Sequence, residues 1–169
     1  GSEMCIRDRS YCCTRNQNYR NCKVAFKTDL TCTRRQNMNE LIKVLFIGDI
    51  VGRPGRNIVK DYLGALGVNT ENNPYDFIIA NVENASHGFG LTEKNHKELG
   101  EIGINCFTSG NHIWDKKDVY SYINDSDRLI RPWNYPKGTY GVGHRIFDVK
   151  GTKIAVMNFL GRTFMSPVD

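Results

Sequence analysis

Asp49, Glu83, Asn84, Asn111 and His112 are the side chains of this 169-residue sequence whose types and spacing could do chemistry together. Each follows a short apolar run. Val44-Leu45-Phe46-Ile47 delivers Gly48 and Asp49, Phe77-Ile78-Ile79-Ala80 delivers Glu83 and Asn84, and Ile104 to Phe107 delivers Gly110, Asn111 and His112. Such runs read as buried strands, and in an open α/β sheet ligands gather outside the carboxyl ends of the strands. Carboxylate, amide and imidazole donors collected there suit divalent metal ions. Two cations about 3.5 to 4 Å apart polarise phosphoryl oxygens, make hydroxide from a bridging water near neutral pH and stabilise an in-line displacement. A bridging carboxylate must hold those charges together, and Glu83 is the acidic residue at its strand end. A leaving alkoxide gains about 10² to 10⁴ in rate from a positioned proton donor. His112, next to a ligand yet pointing differently, fits that task.

Each residue also has a plainer reading. Asp49 after a strand serves equally as a helix N-cap or turn residue. Glu83-Asn84 is also an ordinary solvated turn, and His112 a donor to a buried carbonyl. Three strand ends carrying compatible donors in one crevice favour the metal reading over three coincidences. His87, in the glycine-bearing loop after Glu83, reads as a surface or substrate-side residue. His96 falls on a helix and His144 in a loop, neither with an evident partner. Gly48-x-x-x-Gly52-x-x-Gly55 lacks both G-x-G-x-x-G and the Walker Lys-Ser/Thr, so it is a weak phosphate loop.

The elements that must position these residues alternate strand and helix. Leu41 to Ile47 reads as the first strand. A helix begins near Pro54, repeats Ile58, Val59, Tyr62, Leu63 and Leu66 at helical spacing, and ends at Gly67, where a left-handed cap is common. Asp76 to Val82 is the second strand, followed by a loop from Asn84 to Gly90. Thr92 is the N-cap of a second helix, with Asn95 where a capping box wants Glu. That helix carries His96 and Leu99 and ends between Gly100 and Gly103. Ile104 to Thr108 is the third strand and Trp114 to Ile123 a third helix. Repetition of this kind gives right-handed crossovers and a mainly parallel sheet, hence the α/β class. Arg145 to Val149 and Lys153 to Asn158, joined by Lys150-Gly151-Thr152, predict a β-hairpin that extends the sheet.

Composition separates an arm from the domain. The first 37 residues hold eight Lys plus Arg against three Asp plus Glu, whereas the remainder carries fifteen of each, so the whole net charge of +5 sits in the arm. Five of the six cysteines lie there, at Cys5, Cys12, Cys13, Cys22 and Cys32. Zinc sites use paired Cys-x-x-Cys or His-x-x-x-His spacings, and the arm has neither. It shows no helical or strand period, and Met38 opens the first convincing strand as a natural start would. Ser2-Glu3-Met4-Cys5-Ile6-Arg7-Asp8-Arg9 resembles translated adaptor sequence, with a transit peptide as the weaker rival. Residues 1–37 are therefore expected to be non-native or disordered, and 38–169 to be the domain. That domain reads as cytoplasmic: it has no stretch near the roughly twenty apolar residues of a membrane span and no secretory h-region. Its neutral charge argues against a dedicated nucleic-acid surface. Cys106, inside a strand, reads as a small buried hydrophobe.

Five ordered motifs carry a family resemblance: Gly48-Asp49-Ile50-Val51-Gly52 with Pro54-Gly55-Arg56; Val82-Glu83-Asn84-Ala85-Ser86-His87-Gly88; Gly110-Asn111-His112-Ile113-Trp114-Asp115-Lys116-Lys117; Arg131-Pro132-Trp133-Asn134-Tyr135-Pro136; and Gly161-Arg162-Thr163-Phe164. Together they resemble the YmdB-like branch of the calcineurin-like metallophosphoesterases over nearly all of residues 41–169. The resemblance implies an α/β/β/α sandwich, two divalent metal ions (iron or manganese first, zinc or magnesium next) and hydrolysis of small phosphodiesters, notably 2′,3′-cyclic nucleotides opened to 3′-phosphates. It places Asp49 on the first metal, makes Glu83 the bridge, has Asn84 assist the first metal and Asn111 bind the second, and makes His112 the proton donor. The broader superfamily's Asp-x-His and Gly-Asp are replaced here by Asp49-Ile50-Val51 and Glu83-Asn84, a departure that belongs to the branch.

Val156 to Phe164 is strand-like at first, and Ser166-Pro167-Val168-Asp169 reads as a loop with no helix after it. The sandwich is accordingly expected to be truncated at its C-terminus, without the three later histidines of the family centre, and to have weak or absent activity alone. Two function classes stay open on sequence: a dinuclear metal phosphodiesterase acting on a small phosphodiester or cyclic nucleotide, and a non-catalytic module that holds a nucleotide or one metal. Homo-oligomerisation is left open.

Overall fold

Side-chain alternation along three short strands decides the layering. Leu45, Ile78, Ala80 and Phe107 belong to one buried cluster, while their neighbours Val44, Phe77, Ile79 and Cys106 belong to another. Successive residues of a strand face opposite ways, so the sheet is buried on both sides. The structure, a computed structural model, describes residues 41–163. The basic arm 1–37, Phe164 and the loop expected at Ser166-Pro167-Val168-Asp169 lie outside the described residues.

β1 (Val44–Asp49), β2 (Phe77–Asn81) and β3 (Cys106–Thr108) form a parallel sheet in the order β1-β2-β3. Leu129 pairs in parallel with Phe107 and lengthens it at one edge. α1 (Gly52–Ala65) starts two residues before Pro54, whose missing N–H is harmless in the first turn. It closes as a Schellman motif: Val68 N–H donates to Leu63 O at 3.2 Å and Gly67 N–H to Gly64 O at 3.0 Å, with Gly67 at φ +67°. α2 (Glu93–Glu101) is capped by Thr92, whose hydroxyl accepts from Asn95 N–H. The Asn95 side chain does not reach back to Thr92. It donates to Ser86 Oγ at 2.6 Å, and Ser86 Oγ accepts from Thr92 N–H at 2.9 Å, the bond a capping-box Glu would make.

Two sequence expectations are corrected. The helix predicted over Trp114 to Ile123 is a five-residue 3-10 helix, Asn111–Asp115, and a single α turn, α3 (Val119–Tyr122). Lys116, extended at φ −106° and ψ 114°, separates them. The hairpin does not extend the sheet. β4 (His144–Val149) and β5 (Thr152–Met157) pair antiparallel as a separate two-stranded sheet through a two-residue turn with Lys150 and Gly151 both at positive φ. The reason lies in the crossovers. Each moves one strand further in the same direction, so Val59, Leu63, Leu99, Val119 and Tyr122 all land on one face. The opposite face is left to the hairpin, whose Val149 and Val156 pack with Val44, Phe77, Ile79 and Cys106. The described residues thus form helix, sheet and sheet layers of an α/β fold. Cys106 is fully buried, and burial pushes its thiol up to about 12, which keeps it protonated and inert at neutral pH.

Leu63, 1% exposed, anchors α1 in the helix-side core, whereas Ile58 on the same helix is 69% exposed. Leu63→Ala is expected to cost about 2–5 kcal/mol in urea unfolding. Ile58→Ala should stay within about 0.5 kcal/mol. Equal effects would mean that α1 does not pack through this face.

Candidate metal centre

The strands end side by side. Asp49 is in register with Asn81 and Asn81 with Thr108, so three strand ends reach the same level. A register irregularity between Ile47 and Asp49 re-aims the end of β1. Beyond the strands the backbone stays tied: Ile50 N–H donates to Asn81 O at 3.0 Å, Val82 N–H to Thr108 O at 2.9 Å, and Gly52 N–H to Asn84 O at 2.9 Å. These bonds hold the start of α1 against the loop that carries Glu83 and Asn84.

Asp49 and Asn84 meet directly. Asn84 Nδ2 donates to Asp49 Oδ2 at 2.8 Å. The other end of the same amide, Oδ1, is buried without a hydrogen-bond partner. A buried carbonyl oxygen left without a donor is costly, and a cation beside Asp49 would satisfy it. The amide is oriented as a ligand would be, with its nitrogen turned to the neighbouring carboxylate and its oxygen free. The residues present therefore fit a metal ion.

Glu83 is held from three sides. Its N–H donates to Asn81 Oδ1 at 3.0 Å, Asn81 Nδ2 approaches Oε1 at 3.5 Å, and the backbone N–H of His112 approaches Oε2 at 3.4 Å. Gly110 makes this possible, because a Cβ there would collide with both carboxylate oxygens. Asn111, half-buried, follows at the start of the 3-10 helix. Tyr135 stands nearby, its phenol raised by burial, lowered by a hydrogen bond with Trp114 and raised again by the charge of Glu83.

His112 Nδ1 lies 2.8 Å from Asp115 Oδ2. An ionised carboxylate only accepts, so Nδ1 carries the hydrogen and Nε2 is left for other work. The 3-10 helix creates this pair, since its side chains at i and i+3 eclipse. Phe89 packs on the imidazole with ring centroids 4.7 Å apart.

Asp49, Glu83, Asn84 and His112 are brought together through contacts with one another and with their neighbours, and Asn111 joins them by its place after Gly110. Asn81, Asp115 and Phe89 were missed from sequence. Asn-x-Glu at a strand end was the available sign of Asn81, because such Asn side chains accept from the backbone two residues on. Arg56 donates Nη1 to Ala85 O and braces the same loop. The remaining histidines have other employment. His96 bonds Ser126 Oγ at 3.0 Å, packs on Phe107 and Tyr122, and is lowered by burial and then by Arg128. His144, expected in a loop, opens β4 and packs against Trp133 with the rings tilted 56°, and His87 is exposed at φ 61°. Among the described residues no three His, Cys, Asp or Glu side chains converge, and the candidate donors are two carboxylates, Asp49 and Glu83, with two amides, Asn84 and Asn111.

The family model described as YmdB-like protein matches residues 45–169. The chain belongs to the YmdB-like family. It is 47% identical over 128 residues to the 2′,3′-cyclic-nucleotide 2′-phosphodiesterase of Bacillus subtilis (strain 168), covering 76% of this chain and 47% of that protein. Among solved structures, a hypothetical protein from Thermus thermophilus superposes with a TM-score of 0.68 at 40% identity, covering 75% of this chain and 48% of that one. A novel phosphatase from Mycoplasma pneumoniae gives 0.64 at 36% identity, covering 71% and 43%. The chain spans about half the length of the curated relatives it matches. At these identities and TM-scores the fold is shared with the two solved structures.

Gly110→Ala forces the Glu83 carboxylate aside without touching a donor. It is expected to weaken Mn²⁺ binding at least about tenfold by calorimetry, the 1.4 kcal/mol equivalent of one misplaced ligand, with circular dichroism unchanged. Unaltered affinity would remove Glu83 from the ligand set.

Proposed function

We propose that the protein is a dinuclear metal phosphodiesterase that opens 2′,3′-cyclic nucleotides, or related small phosphodiesters, to 3′-phosphates. The observation that carries the reading is the buried, partnerless Oδ1 of Asn84 beside Asp49, at the level strand ends where Glu83 is clamped. Asp49 and Asn84 would hold the first cation, Glu83 would bridge, and Asn111 would hold the second. When bound, the cations polarise the phosphoryl oxygens and lower the pKa of water. Oxygen donors suit manganese or magnesium, and iron or zinc comes from the family resemblance rather than from these donors.

The chain's own contribution to the bond cleavage is His112. As water adds to phosphorus and the bond from phosphorus to the 2′-oxygen breaks, the Nε2 proton of the imidazolium passes to that oxygen. Asp115 keeps Nδ1 protonated and the ring aimed. The relative named as a 2′-phosphodiesterase supports the choice of bond. We place the protein in the cytoplasm; among the described residues no helix is long and apolar enough to cross a membrane.

The test is conversion of 2′,3′-cyclic AMP to 3′-AMP by the manganese-loaded full protein. His112→Ala should lose at least about 10²-fold in kcat with its metal content unchanged. Asp115→Asn should lose part of that, and Glu83→Gln should lose the metal itself. Undiminished turnover in His112→Ala would take the imidazole out of the reaction, and metal binding without turnover in the parent would support the non-catalytic module.

A further inference from the structure

Phe89 is a large apolar side chain, 54% exposed, at the edge of the candidate site. Isolated exposed aromatics are ordinary on protein surfaces. This one differs in how firmly it is held and in what it touches. Its loop closes on itself through Ser86 N–H to Gly90 O at 2.9 Å, Phe89 N–H to Ser86 O at 3.3 Å and Gly90 N–H to Glu83 O at 2.5 Å. Ser86 is fully buried and pinned through Thr92 and Asn95 at the start of α2. His87 and Gly88 are both left-handed, φ 61° and 93°, and a non-glycine residue keeps that conformation only where its surroundings over-determine it. The ring therefore sits on a rigid loop, tilted 53° against the imidazole of His112, with about half of the residue exposed.

The chemistry of the substrate says what belongs there. In a nucleoside 2′,3′-cyclic phosphate the 2′-oxygen and the base are carried on adjacent ribose carbons. A side chain that protonates the 2′-oxygen must therefore have the base within about one side chain's reach. Phe89, 4.7 Å from His112, is in that zone. Trp114 and Tyr135, the aromatics of the segments that follow His112, pack on other aromatic rings and not on its imidazole. Trp114 stacks on Tyr120 at 5.4 Å and meets Tyr135 edge-on at 5.8 Å.

We propose that Phe89 is the stacking seat for the nucleobase, making the site selective for nucleoside phosphodiesters over base-free ones. The proposal rests on the phosphodiesterase reading and adds to it the determinant of substrate class. Stacking on a phenyl ring tolerates every base, so purines and pyrimidines are both accepted.

The test has a turnover arm and a binding arm, both in the full protein. In turnover, Phe89→Ala is expected to lower kcat/KM for 2′,3′-cyclic AMP roughly tenfold more than for glycerol 1,2-cyclic phosphate, mainly through KM, and Phe89→Trp to restore the difference. Equal losses on both substrates would make Phe89 only a support for His112 and overturn the proposal, as would equal retention. In binding, calorimetry with 3′-AMP and with glycerol 2-phosphate should give the parent a preference for 3′-AMP that Phe89→Ala loses. A parent without that preference overturns the proposal. Absence of turnover on both cyclic phosphates would count against the phosphodiesterase reading, and the binding arm would still decide the role of Phe89.

Discussion

The parallel register that sets Asp49 beside Asn81 and Asn81 beside Thr108 is the constraint on which the candidate site depends. Donors separated by tens of residues in sequence become neighbours because their strands stop at one level. Shifting β1 by a single residue would exchange the side chains packed against the helices with those packed against the hairpin, so close packing on both faces holds the register without any help from the site. Leu45 and Ile78 on the helix side, with Val44 and Phe77 on the hairpin side, thus position a carboxylate they never touch. Stability and chemistry are joined through the backbone.

Beyond the strand ends, polar side chains replace apolar packing as the organising force. Asn81 accepts from the Glu83 backbone, Asn84 reaches Asp49, and the absence of a side chain at Gly110 admits the Glu83 carboxylate. These are short-range, directional contacts in a half-buried setting, where an unsatisfied group costs more than a satisfied one contributes. Among the described residues Asn84 Oδ1 is the buried side-chain oxygen left without a partner, and Arg56 Nε, which belongs to the arginine bracing the same loop, is a buried nitrogen in the same state. His112 belongs to the same network: its backbone approaches Glu83 while its ring is aimed by Asp115.

Much of this was legible in the sequence. Apolar runs bounded by glycine and donor residues located the three strands, helical spacing from Ile58 to Leu66 located α1, and the conjunction of Asp49, Glu83, Asn84, Asn111 and His112 named the residues of the candidate site. What escaped depended on partners distant in sequence or on local backbone form. A hairpin with one apolar face reads the same at a sheet edge as in a second sheet, and only the packing of Val149 and Val156 on β1, β2 and β3 separates them. The Asp115 partner of His112 escaped because the segment was assigned to loop and α-helix, in which i and i+3 do not eclipse as they do in the 3-10 form. Phe89 is a single exposed residue in a glycine-bearing loop, and nothing in its spacing announces that its ring meets an imidazole.

The central claim is that Asp49, Glu83, Asn84 and Asn111 form one cation site at the strand ends. Anomalous diffraction from crystals of the manganese-loaded full protein measures this directly. The account predicts manganese peaks in contact with Asp49 and Asn84 Oδ1 and with Asn111, the Glu83 carboxylate lying between them. Peaks bound elsewhere, or an Asn84 Oδ1 that turns away from every peak, would contradict it.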